Sequence, residues 1–399
     1  MKQLNSTGNF TESKQWKRLL PILMTGVSAG LTPVISLLVS LLVVRLYGAI
    51  LWGDFIQEFL WMNLAAHLMV FGSKDLLLRN FSLDPSAAVI HWQSSIKSRT
   101  PFLFLLAMIL VLAPISLIHG VWILGWIIFR FIYQSFEPAI IFRRKFHYTI
   151  IAEIAGGIFL IAAIGLWKTS LSTLMLIKIF TLAEVIKTVL MGLIQRNDFP
   201  LSISIGLDFT QLKLAAPFFL IGFTGLLHSR TDQLIATHFL PASQLAFYQI
   251  MMSILLMGQS VAYFIVQPYL QNLYRMSDET ISKVALNLLI AGSILTPIMI
   301  LFGSVLMHYC YHFEGDYTMM IYGFFFILPF FYSIPYIYAL YKINEEKKVL
   351  LINSSVIVIN ILCLPYIFST QSLSTVLLFN ALLQILQAIV FRGLSKSIL

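Results

Sequence analysis

Arg130, Gln134 and Glu137 stand four and then three residues apart inside a run that is otherwise apolar. On a helix that spacing puts a guanidinium, an amide and a carboxylate on one face. Arg suits phosphate oxygens because its planar fork donates two charge-assisted hydrogen bonds at once. A second pair, Arg230 and Asp232, sits two residues apart, which turns a helix by about 200° and points the side chains away from each other. Lys178, Glu184 and Lys187 share a third run. There Glu184 and Lys187 can neutralise each other across one turn, and the long stem of Lys187 can carry its charge to a membrane surface. Asp54, Glu58 and Trp61 repeat the four-and-three spacing. A carboxylate on that face can take up a proton or cation or accept from sugar hydroxyls; alternatively, Glu58 pairs with Arg45. Glu153, near the end of its run, reads as interfacial. Thr25, Ser28, Thr32, Ser36 and Ser40 recur at three or four, a packing seam first and a cavity lining second. His67 is alone on an apolar segment and reads as a packing residue.

The elements that must position these groups are membrane helices. Of 399 residues 59% are hydrophobic and 11% charged, where soluble proteins carry about 25% charged residues. A span needs about 20 mostly apolar residues. Twelve candidates follow: 19–44, 54–72, 102–118, 120–141, 147–167, 171–193, 213–238, 244–268, 284–307, 318–341, 349–368 and 373–391. An Arg, Lys or Asp at the middle of such a helix costs about 2.5–3.5 kcal/mol. Three facing lipid would cost on the order of 8–10 kcal/mol, comparable with the stability of a whole domain. The charges within the spans therefore face a wet cavity, pair with one another, or reach a surface. For Arg130 the choice lies between lining a cavity and bracing neighbouring helices; for Arg230 and Asp232 it lies between function and a structural ion pair.

Orientation follows from the basic residues. With the N-terminus in the cytoplasm, twenty of the 26 Lys and Arg residues fall on the cytoplasmic side, and the outer side keeps only Arg45 and Lys168. Both termini are therefore expected in the cytoplasm. The net charge of +9 reflects this distribution, and no nucleic-acid partner is expected. The polar stretch 1–18 precedes a long apolar run without a small-residue cleavage site, so the run reads as a first membrane helix and not a removed signal peptide. The longest loop, 73–101, holds a segment at 85–97 suited to a short interfacial helix. The spans 102–118 and 120–141 part at His119-Gly120. Cys310 and Cys363 are too few for a metal centre or a disulfide framework. With no GxxxxGK[ST] loop and no large extramembrane domain, no cofactor is called for. An ion gradient, the membrane potential or the substrate gradient must drive any movement.

The chain divides into two six-helix lobes, 1–196 and 197–399. Gly48/Pro241, Gly53/Ala246 and Phe55/Tyr248 match at one constant offset, and an even number of spans per lobe makes the repeats parallel.

Arg230-Thr-Asp-Gln-Leu-Ile235, the preceding helix with Pro217, Gly222 and Gly225, and Tyr248 after the outer turn resemble the Wzx-type O-antigen flippases. Leu46-Tyr-Gly48, Trp52-Gly-Asp-Phe55 and Phe71-Gly-Ser-Lys-Asp75 are similar to their first-half stretches. The resemblance implies the fold shared by MATE exporters, the lipid II flippase MurJ and Wzx: two six-helix lobes around a central cavity open alternately to either side. It implies an undecaprenyl-diphosphate-linked oligosaccharide flipped across a bacterial inner membrane, with membrane lipid and the polymerase and chain-length proteins of the same pathway as partners. Arg130, Arg230, Lys178 and Gln134 would then hold the diphosphate-sugar headgroup, and Glu58, Glu137 and Asp232 would balance charge or titrate. A MATE-like ion-coupled exporter shares the fold but favours an acidic cavity. A membrane glycan polymerase or acyltransferase would need a sizeable basic outer loop, so no enzyme is expected.

Overall fold

The computed structural model describes the backbone of residues 7–112, 116–167, 171–200, 206, 208–266, 273, 276–313, 317–343, 345–370 and 372–397. Within these, side chains are described from residue 24 on, apart from 25, 29, 317, 396 and 397. Several residues of the Lys and Arg tally and the small-residue seam lie outside them, among them Lys168, Arg275 and the side chain of Thr25.

Every described element is a helix: α1 Thr7–Tyr47, α2 Ala49–Val70, α3 Ser73–Leu83, α4 Ala88–Leu112, α5 Leu117–Ser135, α6 Glu137–Arg143 and α7 Phe146–Leu166. There follow α8 Thr173–Gln195, α9 Phe209–Phe239, α10 Ala242–Val266, α11 Asp278–Val305 closed by a π turn at Leu306–Cys310, α12 Tyr317–Lys342, α13 Glu346–Thr370 and α14 Leu373–Ser397. The chain is an all-α polytopic membrane protein. Among the described residues twelve helices are 19 residues or longer, one at each of the twelve expected spans. Ten stretches of helix among the described residues are long and apolar enough to cross a membrane. The other two long helices, α2 and α8, carry Asp54 and Glu58 on one and Lys178, Glu184 and Lys187 on the other.

Four boundaries differ from expectation. The outer turn after α1 is one residue, Gly48, whose φ of 95° suits a residue without Cβ. Residues 85–97 do not form a separate interfacial helix. Asp84 accepts hydrogen bonds from Ser86 Oγ and the Ala87 N–H, and α4 then runs unbroken from Ala88 to Leu112. The next helix starts before His119-Gly120, where the Ser116 hydroxyl caps α5 by accepting from the His119 N–H at 3.3 Å. The expected span 120–141 is stepped: Pro138 has no N–H to offer the Gln134 carbonyl, α5 stops at Ser135, and Glu137 opens α6.

The chain falls into two compact units. Unit 1 comprises Met1–Ser36, Ala65–Leu166 and Leu174–Phe218; unit 2 comprises Leu37–Leu64, Trp167–Thr173 and Phe219–Leu399. In unit 1, α3, α4 and α6 pack around the buried Trp92, whose indole N–H donates to the Ser135 carbonyl at 2.6 Å. Arg99, expected in a loop, is 1% exposed on α4. It donates to the Ser95 and Val70 carbonyls and to Ser73 Oγ, and lies over the Phe131 ring. These acceptors make its burial tolerable.

In unit 2 the elbow between α1 and α2 packs on the second half of the chain. A Cβ at Gly53 would lie 1.8 Å from the Ala242 carbonyl oxygen, so only glycine fits there. Trp52 Nε1 donates to Gln249 Oε1 at 3.0 Å. Arg45 donates to the Tyr309 carbonyl at 2.5 Å and also contacts the Cys310 carbonyl and His312. The Tyr311 hydroxyl donates to the Leu37 carbonyl at 2.9 Å and shares a hydrogen bond with Ser40 Oγ.

Candidate functional site

Unit 1 holds a buried ionic cluster built by α5, α7 and α8. Glu184 Oε1 lies 2.6 Å from Lys187 Nζ and 3.3 Å from Arg130 Nη1, and Lys187 also reaches Glu153 Oε2 at 3.4 Å. Two cations and two carboxylates cancel one another, while the Tyr133 ring lies beneath both cations. Gly156 on α7 makes the slot for the Lys187 stem; a Cβ there would meet its Cγ and Cδ at 2.8 Å. Glu153 and Lys187 are 4% and 6% exposed, so neither is interfacial, and Lys187 does not snorkel. Each finds an opposite charge inside the protein, within 3.4 Å. Next to the cluster, Gln134 Oε1 and Glu184 Oε2 are buried acceptors with no protein donor among the described residues. Lys178, one helical stretch away on α8, is half-buried over the Trp122 indole at 5.7 Å.

The third member of the expected Arg130 stripe goes elsewhere. Glu137 pairs with Lys74 of α3 at 2.6 Å, because the step at Phe136 redirects it. Beyond the spans, Asp198 clips the turn after α6, accepting from Lys145 at 2.8 Å and pairing with Arg143. The Lys145 ammonium, then Arg143, hold the Asp198 carboxyl below the usual range, and Asp198 in turn holds Lys145 above its own.

Unit 2 carries a polar column of different character. Arg230 and Asp232 on α9 diverge as their spacing requires. Arg230 donates to Gln233 Oε1 at 2.8 Å, while the buried Asp232 accepts from the Tyr248 hydroxyl of α10 at 2.6 Å. From α14, Asn380 donates to the Tyr248 oxygen at 3.5 Å, Gln384 shares a hydrogen bond with His228 of α9 at 3.2 Å, and Gln387 donates to Asn353 of α13 at 2.7 Å. Asn380, Gln384 and Gln387 are spaced four and three apart, a signal present in the sequence that a search for charges passes over. Glu58 is half-buried on α2, Asp54 is exposed, and Trp61 lies beside the His238 ring at 6.3 Å. Among the described residues no group of three or more His, Cys, Asp or Glu is placed to hold a metal ion.

Neither a family model nor a curated protein matches the chain. Solved structures do. A MATE protein solved in complex with MaL6 aligns over 96% of this chain and 95% of its own, at 11% identity and a TM-score of 0.63. A MOP superfamily transporter from Pyrococcus furiosus Vc1 (DSM3638) aligns over 95% of this chain and 93% of its own, at 12% identity and a TM-score of 0.59. The fold is that of the MOP transporters. In the latter structure a reversed polarity of the binding pocket is described as suggesting a different function. Within the MOP fold of the present chain, the positions the sequence singled out divide between the two units. Arg130, Gln134, Glu137 and Lys178 lie in unit 1, and Glu58, Arg230 and Asp232 lie in unit 2.

Proposed function

We propose that this chain is a membrane transporter that flips an undecaprenyl-diphosphate-linked oligosaccharide across a bacterial inner membrane by alternating access, with both termini in the cytoplasm. One observation carries the anionic substrate: among the described residues, the hydrogen bond of Arg230 goes to an amide and the Lys178 ammonium lies over an indole, and neither forms a salt bridge with a carboxylate. A charge satisfied by neutral groups keeps its attraction for an incoming diphosphate. Gln134 adds an unmet acceptor for a sugar hydroxyl. Arg130 contributes through the Glu184 pair, which a competing phosphate can open. Asp232 is the carboxylate best placed to titrate during resetting, since its partner is a hydroxyl and not a cation.

The test is reconstitution of purified protein into liposomes with labelled lipid-linked glycan. Movement of intact label between leaflets is expected, and Arg230→Ala is expected to slow it about tenfold or more. Covalent change of the glycan would point to an enzyme instead. Transport of small organic cations with no glycan movement would favour a MATE-like exporter.

A further inference from the structure

Unit 2 contains a cavity of about 370 Å³ between α10, α11 with its π turn, and α12, the scale of a small-molecule site. Among the described residues no charged side chain lines it, and Ser304, His308 and Tyr309 are the polar ones. Met251, Met299, Met307, Met319 and Met320 contribute to the wall, a third of the 15 methionines in the chain. Unbranched thioethers adjust to guests of irregular shape. A sugar or a diphosphate would lose its hydration here without recovering hydrogen bonds, so the chemistry selects an apolar guest.

The surroundings say where the guest comes from. Leu286, Ile290, Ile294, Ile298, Leu301 and Val305 form an exposed apolar stripe along α11, the face that a bilayer covers. That stripe runs into the cavity wall at Val305 and Tyr309, both exposed. The π turn inserts an extra residue into the helix at this point. It places His308 and Tyr309 at the span's end, where amphipathic rings mark the headgroup level. Apolar cavities take apolar guests in preference to water, and acyl chains are what this opening faces.

We propose that the methionine-rich cavity is a binding site for one acyl chain of a bilayer phospholipid. The same π turn offers the Tyr309 and Cys310 carbonyls to Arg45. A chain seated against Met307 and Tyr309 therefore supports the turn that fastens the end of α1. This site stands apart from the flippase reading and does not depend on it.

The experiment uses full-length protein in nanodiscs of phosphatidylethanolamine and phosphatidylglycerol doped with a phosphatidylethanolamine bearing a mid-chain diazirine. After illumination, adducts are mapped by peptide mass spectrometry. Labelling is expected to concentrate on 299–309 and 319–323 above the level at 286–298. Met320→Trp, or Ser304→Phe if that variant folds poorly, is expected to reduce cavity labelling about tenfold while leaving 286–298 unchanged. Cavity labelling no higher than that of the stripe, or unaffected in a folded variant, overturns the proposal. So does displacement of the probe by polyprenyl phosphate at a few mole per cent when the same addition of unlabelled phospholipid does nothing.

Discussion

In unit 1 one carboxylate oxygen of Glu184 serves both Lys187 and Arg130, at 2.6 and 3.3 Å; in unit 2 Asp232 receives a tyrosine hydroxyl while Arg230, two residues away, turns to a glutamine. Both are guanidinium-and-carboxylate sets on membrane helices. The first pairs its charges with one another, so a ligand reaches Arg130 only by opening the longer of the two Glu184 contacts. The second gives each charge a neutral hydrogen-bond partner, so removing one charge leaves no salt-bridged counter-charge behind. Composition does not distinguish the two; partner identity does.

The contrast breaks most sharply at Glu184. Glu184→Ala leaves Arg130 with no paired carboxylate and Lys187 with only Glu153, and is expected to cost about 3–5 kcal/mol, read as a fall in the melting temperature of the purified protein. A melting temperature equal to that of the parent chain would mean that the cluster is not structural. Gly156→Ala approaches the same cluster from its wall. The added methyl group presses on the Lys187 stem, whose ammonium is held at its far end, and about 1–3 kcal/mol of stability should be lost. In unit 2 the expectation reverses. Asp232→Asn keeps an oxygen for the Tyr248 hydroxyl, so stability should move by about 1 kcal/mol or less, while glycan movement in liposomes falls about tenfold or more. A variant with normal transport would remove the functional half of the comparison.

The smallest effect lies outside both clusters. The folded-state pKa of Asp198 is depressed, first by Lys145 and then by Arg143. Its contribution is therefore present above the ordinary carboxylate range and is lost as the pH falls through the depressed value. Because the clip is partly exposed, screening limits it to a fraction of a kcal/mol. Proteolysis of the 143–146 turn, followed against pH, should rise at the acid end in the parent chain and lose that dependence in Asp198→Asn.

Apolar runs marked where the long helices of the described residues lie, because the apolar content of a span is a local property of the chain. The match of Gly48 with Pro241 was also legible, and both residues stand at junctions between long helices, α1/α2 and α9/α10. What the sequence left open were partners. Distance from a span's end placed Glu153 at the interface, yet a neighbouring Lys187 reverses that. The run 85–97 looked amphipathic enough to lie flat, but Trp92 and Arg99 find their acceptors only when α3 and α5 pack beside it. Pro138 was visible, and its effect on the Arg130 stripe follows from one missing N–H. The amides of α14 escaped notice because Asn and Gln interrupt a hydrophobic run without the cost that makes a charge conspicuous.

That row of amides makes the final helix a structural wall and not an appendage. Gln384 and Asn380 complete His228 and Tyr248, and Gln387 completes Asn353. Trimming the chain back past residue 373 would strip those groups of the partners that α14 supplies. Deletion series from this end would therefore report misassembly first, whatever the shortened protein could still carry.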